Sequence, residues 1–382
     1  MHNLPAIPVR LEIFRLSLPM RGFEHAAASR SQAESILLRM GFGDGSEGFG
    51  QALPRDYVTG ESIESVIDDL TGRLWPAFVE RFGRGLPASL EDLSAAIDRP
   101  RPDGACCNAA AGALEMAAAA ALDVLEAPTR IGPRVSGVLG SSDPARTQKR
   151  LKLMRWFGLR DFKLKLGLGE DVDQENLRIV HGRLGRAIRR GRCSLRVDVN
   201  GGWQADELPE RSAYLKSVGV CVIEQPCFVP AGELVELAGK SHLPLMADES
   251  LLTAADADLL ADGGPGIWWN VRIGKNGGVW PAIQLLQLAR ARQISVTFGC
   301  MVGEMSVLSA WQRVALARAG QNVRFVEGNY GRFLLGQDPF DPSLRFGFGG
   351  RLGKVRPGLV RRLELDEKSL EKLGRKIADL TV

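Results

Sequence analysis

The chain has 382 residues, of which 45% are hydrophobic, 25% charged and 7% aromatic. These fractions are typical of globular proteins and exclude intrinsic disorder as the overall state. Because 49 lysines and arginines stand against 45 acidic residues, the net charge is only +4, and we expect no nucleic-acid partner. The length accommodates a barrel of about 250 residues together with one smaller domain.

The cysteines and the N-terminal segment indicate a reducing compartment. The six cysteines form no C-x-x-C pair and the four histidines do not cluster near them, so we expect neither a zinc site nor disulfides. Charged residues at 10, 12 and 15 interrupt the apolar N-terminal stretch, which argues against a secretory signal. The most apolar segment, 109–127, contains Glu115 and Asp123 and is too polar to span a membrane. We therefore expect a cytoplasmic protein with no membrane partner.

The first 130 residues combine strand and helix patterns. Alternating apolar residues predict a three-stranded meander, at 9–16, 34–39 and 47–52. Gly43-Asp44-Gly45 is typical of a hairpin turn between the last two strands. The hydroxyl residues of Thr59-Gly-Glu-Ser62 can cap a helix that begins at Ile63, and helical spacing returns at 90–97 and 108–125. These patterns predict an α+β domain over residues 1–130.

From residue 131 onward the pattern becomes strand, loop and helix, repeated. Eight short apolar runs predict strands, at 135–139, 162–166, 195–199, 220–223, 243–247, 266–271, 294–298 and 323–326. Most are followed by a helix-length segment, so the strands should be parallel and joined by right-handed crossovers. Eight such units predict a TIM-like barrel over 131–335. The tail, 336–382, contains extended Gly- and Pro-rich segments and one terminal helix, and we expect it to return to the first domain.

Charged residues recur where these predicted strands end. They are Lys163 and Lys165, Asp198 and Asn200, Glu224, Asp248, and Lys275. From Lys165 to Lys275 the steps are 33, 26, 24 and 27 residues, each close to one barrel unit. Consecutive strands should therefore carry these groups to the same barrel mouth, where TIM-barrel enzymes have their active sites.

The residue types indicate proton abstraction assisted by a metal ion. Three carboxylates that converge in one place repel each other unless a cation lies between them, and oxygen ligands suit Mg²⁺ or Mn²⁺. Lys165 and Lys275 would flank that cation. The positive charges of the cation and of a further lysine, Lys163, disfavour the ammonium form of a neighbouring lysine. Its pKa is thereby lowered, which adapts it to act as a base. Such a set can remove a proton beside a carboxylate while the metal stabilises the enediolate.

Each motif also has a structural interpretation. Lys163 and Lys165 can be solvent-exposed residues of an alternating strand, and Asp198 or Asp248 can cap the following helix. Glu224 can be a loop residue, and Lys275-Asn-Gly-Gly278 can be an exposed turn. None of these interpretations explains the regular spacing of all five motifs.

Taken together, the motifs resemble the enolase superfamily in its muconate-lactonizing-enzyme subgroup. They are Lys163-x-Lys165, Asp198-x-Asn200, Glu224-Gln-Pro226, Asp248-Glu-Ser250 and Lys275-x-Gly-Gly278, in that order. The resemblance implies a modified TIM barrel of the (β/α)7β type, with an N-terminal α+β capping domain that the C-terminal segment completes. It implies that Asp198, Glu224 and Asp248 bind Mg²⁺, that Lys165 and Lys275 are the acid/base pair, and that Lys163 neutralises the substrate carboxylate. It also implies a homo-oligomer and a small-molecule carboxylate substrate.

Two bases on opposite faces of one carbon permit racemisation or epimerisation. No histidine lies near Phe298 or Lys275, which separates the chain from the mandelate-racemase subgroup. The motifs are most similar to those of dipeptide epimerases and N-acylamino acid racemases. Muconate-type cycloisomerisation and the dehydration that forms o-succinylbenzoate use the same groups and remain alternatives. A metal-binding barrel without turnover is the non-catalytic alternative.

A second set of residues is predicted to bind substrate or to support the catalytic groups: Asn200, Glu249, His25, Thr59, Glu304, Glu327 and Asn329. In relatives, the loop that matches His25 closes over the substrate. Dipeptide epimerases carry Asp-x-Asp after the eighth strand to hold the substrate ammonium, and this chain has Glu327-Gly328-Asn329 there. Of the three residues 327–329, only Glu327 offers a negative charge to an ammonium group.

Overall fold

The computed structural model describes residues 6–25, 28–101, 103–122 and 124–382. Three antiparallel strands open the chain: β1 (Pro8–His25), β2 (Ala28–Phe42) and β3 (Glu47–Ala52). The turn before β3 is closed by Asp44, whose carboxylate accepts a hydrogen bond from the backbone N–H of Ser46 at 2.9 Å. The predicted meander is therefore confirmed.

Five helices follow the meander: α1 (Asp56–Thr59), α2 (Ile63–Asp69), α3 (Trp75–Phe82), α4 (Leu90–Ala95) and α5 (Asn108–Ala119). Ser62 caps α2 as predicted, because its hydroxyl accepts a hydrogen bond from the backbone N–H of Ser65 at 3.0 Å. α5 is fully buried and ends at Ala119, six residues before the predicted helix end. A short strand, β4 (Thr129–Arg130), leads into the barrel.

The barrel contains eight parallel strands: β5 (Gly137–Leu139), β6 (Asp161–Lys165), β7 (Ser194–Asp198), β8 (Ile223–Glu224), β9 (Leu245–Ala247), β10 (Ile267–Val271), β11 (Val296–Phe298) and β12 (Val323–Val326). Each strand neighbours the next one along the chain. A parallel bridge between Val135 and Val326 joins the first strand to the last, and Ser136 N donates to Val326 O at 2.8 Å. The sheet is therefore a closed barrel.

Seven helices connect the barrel strands: α6 (Pro144–Trp156), α7 (Glu170–Arg189), α8 (Leu208–Ser217), α9 (Ala231–Ala238), α10 (Ala254–Ala261), α11 (Val279–Ala291) and α12 (Ser306–Ala319). Short 3₁₀ and π turns occupy Leu70–Leu74, Gly264–Gly266, Gly320–Asn322, Gly331–Phe333, Phe348–Gly350 and Val360–Arg362. Eight strands and seven intervening helices confirm the (β/α)7β barrel. In the part of the chain that is described, no helix is long and apolar enough to cross a membrane.

The C-terminal segment completes the N-terminal sheet. After the short strands β13 (Phe340–Asp341), β14 (Lys354–Val355) and β15 (Glu364–Leu365), helix α13 (Glu367–Leu373) leads into β16 (Gly374–Thr381). β16 pairs antiparallel with β1 and forms one edge of a four-stranded sheet. The sequence analysis predicted the helix and missed the strand, because β16 is a mostly exposed edge strand with few apolar residues.

Helix α5 joins the capping domain to the barrel. At its N-terminus the carboxylate of Glu61 accepts hydrogen bonds from the backbone N–H groups of Ala109 and Ala110, at 2.9 and 3.3 Å. The amide of Asn108 donates to the backbone oxygen of Lys275 at 2.8 Å. The buried Gly278, with φ 134°, packs against this helix, and a Cβ there would lie 2.6 Å from the carboxylate of Glu115. Only glycine fits at this position.

We expect Gly278→Ala to destabilise the protein by about 2–4 kcal/mol, because it combines a strained φ with a clash against a buried carboxylate. Gly182→Ala is the matched control, since Gly182 lies inside α7 and an added Cβ meets nothing within 4 Å. The control should be as stable as the parent chain or up to about 1 kcal/mol more stable. Urea titrations followed by circular dichroism measure both changes, and equal stability of the two variants would contradict this packing argument.

Candidate active site

The ends of three neighbouring strands bring the predicted groups together. Lys165 is the last residue of β6 and lies beside Asp198, the last residue of β7. Asp198 in turn lies beside Glu224, the last residue of β8, and Asp248 directly follows β9. Lys163 and Lys165 are only 2% and 7% exposed, so the alternative of solvent-exposed lysines is wrong.

The helix-cap alternatives are also wrong. Asp198 accepts a hydrogen bond from the N–H of Asn200 at 3.1 Å and lies well before α8. The cap of α10 is Thr253, not Asp248. The Lys275-Asn-Gly-Gly278 turn is buried rather than exposed. Each polar group at the strand ends therefore has partners inside the barrel mouth.

Lys163 lies at the centre of this buried cluster. Its Nζ is 3.1 Å from Asp198 Oδ2, 3.2 Å from Glu224 Oε1 and 2.8 Å from an oxygen of Glu327. Burial opposes the charged form, but Glu224 and the other two carboxylates raise the pKa of Lys163 above its usual value. Lys163 is therefore a fixed ammonium group.

Lys165 lies beside the same cluster. Its Nζ is 3.2 Å from Asp198 Oδ2 and donates to Asn200 Oδ1 at 2.8 Å. Although burial disfavours the carboxylate, Lys165 and Lys163 hold the pKa of Asp198 well below its usual range. Asn200 has a left-handed backbone conformation, with φ 49°, and its side-chain oxygen accepts the hydrogen bond from Lys165.

Glu327 is paired within the barrel. One carboxylate oxygen contacts Lys163 and the other accepts a hydrogen bond from Arg196, which is fully buried. Burial disfavours the carboxylate, yet these two cations lower the pKa of Glu327 to about 2. The sequence analysis missed Arg196, although its alternation with Asp198 in β7 places both side chains on the inner face of the barrel.

Lys275, in the loop after β10, is fully buried. Its Nζ donates to the backbone oxygens of Asp248 and Asn270, at 2.5 and 2.8 Å, and lies 3.1 Å from Asp248 Oδ1. Burial and the neighbouring guanidinium of Arg272 lower the pKa of Lys275 well below its usual value. A low pKa suits a base, but this amine is directed at the ends of β9 and β10.

Arg272 is the second residue that the sequence analysis missed. It directly follows β10, as Asp248 directly follows β9, and this shared position was the signal available in the sequence. Its Nη2 contacts the carboxylate of Asp248 and is 3.8 Å from Glu224 Oε1. Unlike Lys275, it borders the cavity at the barrel mouth.

This cavity, about 50 Å³ in volume, lies between the barrel and the capping domain. It is lined by Arg55, Tyr57, Val58, Val138, Lys163, Lys165, Asn200, Glu249, Arg272, Cys300, Met301, Val302, Glu327, Tyr330 and Leu334. Arg55 holds the two domains together here, because its guanidinium donates to Pro54 O at 2.6 Å and to Val302 O at 2.9 Å. A small molecule bound in this cavity would be enclosed by both domains.

The remaining predicted residues divide into two groups. Asn200, Glu249 and Glu327 line the cavity. Within the described part of the chain, Glu249 Oε2 is buried and has no hydrogen-bond partner, and burial raises the pKa of Glu249 to about 7. Thr59, Glu304 and Asn329 are not among the described residues that line the cavity. The side chain of His25 lies outside the described part of the structure.

Three predicted residues lie behind the cavity wall. Thr59 is buried at the end of α1. Glu304 accepts a hydrogen bond from the N–H of Met301 at 2.8 Å, and burial raises its pKa to about 8. Asn329 accepts from Arg313 at 2.6 Å and donates to Gln312 at 2.5 Å. They support the wall instead of forming it.

Asp198, Glu224 and Asp248 have the chemistry of a magnesium site. All three are fully buried and offer oxygen donors, which Mg²⁺ prefers. Among the described side chains, no group of three acidic, cysteine or histidine residues is arranged to hold a metal ion. Lys163 and Arg272 lie against these carboxylates. The donor set fits a divalent cation, which would replace these ion-pair contacts.

Replacing Glu327 with Gln should destabilise the fold by about 3–5 kcal/mol, because Arg196 loses its carboxylate partner inside the barrel. Glu175→Gln is the control, since the pair of Glu175 with Arg178 lies on the surface and contributes at most about 1 kcal/mol. The double variant Glu327→Gln, Arg196→Met should recover part of the loss. Urea titration measures all three, and a Glu327 variant as stable as the control would contradict the paired role.

Comparison with known proteins agrees with this geometry. The family model described as "Enolase C-terminal domain-like" matches residues 146–366. The chain is 28% identical over 330 residues to the N-succinyl-L-Arg/Lys racemase of Bacillus cereus, which covers 81% of this chain and 84% of the racemase. It is 30% identical over 298 residues to muconate cycloisomerase 1 of Pseudomonas putida, which covers 72% of this chain and 74% of that enzyme.

A solved structure shows the same architecture. The crystal structure of N-succinyl Arg/Lys racemase from Bacillus cereus superimposes with a TM-score of 0.80 at 24% identity, covering 98% of this chain and 100% of that one. At this identity the likeness shows the fold alone. The family model and the relatives establish that the chain is an isomerase of the enolase superfamily and belongs to its muconate-lactonizing-enzyme subgroup.

Proposed function

We propose that this enzyme removes the proton α to a carboxylate of a small molecule bound in the cavity between the two domains. The observation that carries the proposal is the position of Lys165, which lines that cavity beside three buried carboxylates. Lys165 is the base, and its position is fixed by Asn200. Lys163 supplies a fixed positive charge on the same side of the cavity.

Enolase superfamily enzymes generally use Mg²⁺, and Asp198, Glu224 and Asp248 would hold it here. When bound, Mg²⁺ stabilises the negative charge that develops on the substrate carboxylate as the proton leaves. Closure of the cavity by Arg55 and Tyr57 of the capping domain keeps the site poor in water, which strengthens these electrostatic interactions.

The charges around the cavity favour an N-acyl amino acid over a dipeptide. A dipeptide carries an ammonium group, and Glu327, the residue expected to bind it, already has both carboxylate oxygens on Lys163 and Arg196. An N-succinyl amino acid has a second carboxylate in place of the ammonium. Arg55 places a positive charge at the cavity edge, where that second carboxylate would lie. The similarity to an N-succinyl-L-Arg/Lys racemase supports the same substrate class.

Two classes of reaction pass through such an enediolate. Racemisation, the reaction named for the Bacillus cereus relative, needs a proton donor on each face of the carbon, and Lys275 was the expected second one. Cycloisomerisation, or dehydration of the o-succinylbenzoate type, is the second candidate. This second candidate is favoured by the position of Lys275, which does not line the cavity, whereas Arg272 does. Racemisation and dehydration begin with proton transfer to Lys165. In cycloisomerisation a carboxylate of the substrate first adds to a double bond and forms the enediolate, and Lys165 then donates a proton to it.

We expect α-hydrogen exchange in D₂O when the enzyme is supplied with Mg²⁺ and N-succinyl amino acids, followed by proton NMR. Lys165→Ala should slow this exchange by about 10²–10⁴-fold, because it removes the base. Lys149→Ala, which changes an exposed lysine of α6, is the control and should exchange at the parent rate. If Lys165→Ala exchanges as fast as the control, Lys165 is not the base. If dipeptides exchange and N-acyl amino acids do not, the substrate assignment is wrong.

Metal binding can be tested without substrate. Because Mg²⁺ binds the native state only, it should raise the melting temperature in proportion to the logarithm of its concentration, and EDTA should reverse the shift. Asp248→Asn should lose most of this Mg²⁺-dependent shift, whereas Asp262→Asn, in an acidic residue that follows α10, should keep it. An equal shift in both variants would show that the ion binds elsewhere.

A further inference from the structure

Two basic residues, Lys165 and Arg272, border the cavity on opposite sides. Lys165 ends β6, and Arg272 directly follows β10. In the sheet order these strands are four positions apart, which in a closed barrel of eight strands is the far side. Both residues line the same cavity. A substrate held there therefore has Lys165 on one face and Arg272 on the other.

Arg272 also has an unused donor at this position. It is 8% exposed, and its Nε is buried without a hydrogen-bond partner among the described residues. The other nitrogens contact the Asp248 carboxylate and, at 3.6 Å, the sulfur of Met301. A buried guanidinium nitrogen without a partner is costly, so it indicates that a ligand completes the site.

Lys275 is not placed to take over this role. Its Nζ lies within hydrogen-bond distance of three acceptors, the backbone oxygens of Asp248 and Asn270 and the Asp248 carboxylate. Its own loop is fixed by Asn108, which donates to Lys275 O, and by the tight contact of Gly278 with α5. Turning the Lys275 side chain into the cavity would break its three hydrogen bonds, and the fixed backbone leaves it no other route.

We propose that Arg272, not Lys275, faces Lys165 across the substrate, and that the enzyme therefore exchanges protons on one face of the α-carbon only. The inference rests on the proposed function. Lys165 takes the α-proton as the C–H bond breaks, and the electron pair passes into the carboxylate. Arg272 contributes a fixed positive charge beside the anion that forms. A guanidinium does not give up its proton at neutral pH. Lys165 therefore exchanges the captured proton with solvent and returns a solvent-derived hydrogen to the same face of the α-carbon.

The experiment follows each enantiomer of an N-succinyl amino acid separately, with holoenzyme and Mg²⁺ in D₂O. Proton NMR measures α-hydrogen exchange, and chiral chromatography measures inversion. We expect one enantiomer to exchange with retention of configuration and the other to remain unexchanged. Inversion by the parent enzyme would overturn the inference while leaving the proposed function intact. No exchange with either enantiomer, or with any other carboxylate supplied, would overturn both.

Substitutions at position 272 give an independent readout. Arg272→Lys places an amine on the second face of the substrate. It should raise the α-hydrogen exchange rate of the enantiomer that the parent enzyme leaves unexchanged by at least tenfold, and inverted product should appear. Arg272→Met should slow exchange by about 10²-fold and keep retention, because it removes a cation and not the base. If Arg272→Lys is folded by circular dichroism and gains no exchange, residue 272 does not face the substrate. When Lys165→Ala is combined with Arg272→Lys or with Arg272→Met, the enantiomer that the parent enzyme exchanges should no longer exchange its α-hydrogen.

Discussion

The buried charges at the barrel mouth are the constraint on which the rest of the structure depends. An unpaired charge in a protein interior costs several kcal/mol, so each must find a partner. The cluster consists of five acidic and five basic side chains: Asp198, Glu224, Asp248, Glu249, Glu327, Lys163, Lys165, Arg196, Arg272 and Lys275. Parallel strands end at one edge of the barrel, so their terminal residues meet without any sequence proximity. The fold therefore supplies the partners that make such burial possible.

The capping domain stabilises this arrangement from one side. Helix α5 begins at the carboxylate of Glu61 and holds the loop of Lys275 through Asn108. Because β16 from the C-terminus pairs with β1, both ends of the chain contribute to the domain that covers the cavity. The position of Lys275 is thus set by a contact between two distant parts of the sequence.

The sequence predicted most of the fold because its signals are local. Apolar runs and their spacing located all eight barrel strands, and motif order indicated the family. The side-chain directions depend on three-dimensional contacts, and there the sequence was less informative. Lys275 belongs to a recognisable motif, yet its amine is held by backbone oxygens that no spacing rule reveals. Arg272 belongs to no expected motif and borders the cavity because it directly follows a strand. The strand β16 was missed because an exposed edge strand needs no apolar alternation.

The charge balance also relates metal binding to substrate binding. Within the cluster, the carboxylates of Asp198, Glu224, Asp248 and Glu327 are balanced by Lys163, Lys165, Arg196 and Arg272. Arg55 adds a further positive charge at the cavity wall. A divalent cation would displace Lys163 and Arg272 from the carboxylates and would leave these side chains in need of new anionic partners. A substrate with two carboxylates supplies them. Binding of the cation and binding of a dianionic substrate should therefore be mutually favourable, because each restores the neutrality that the other disturbs.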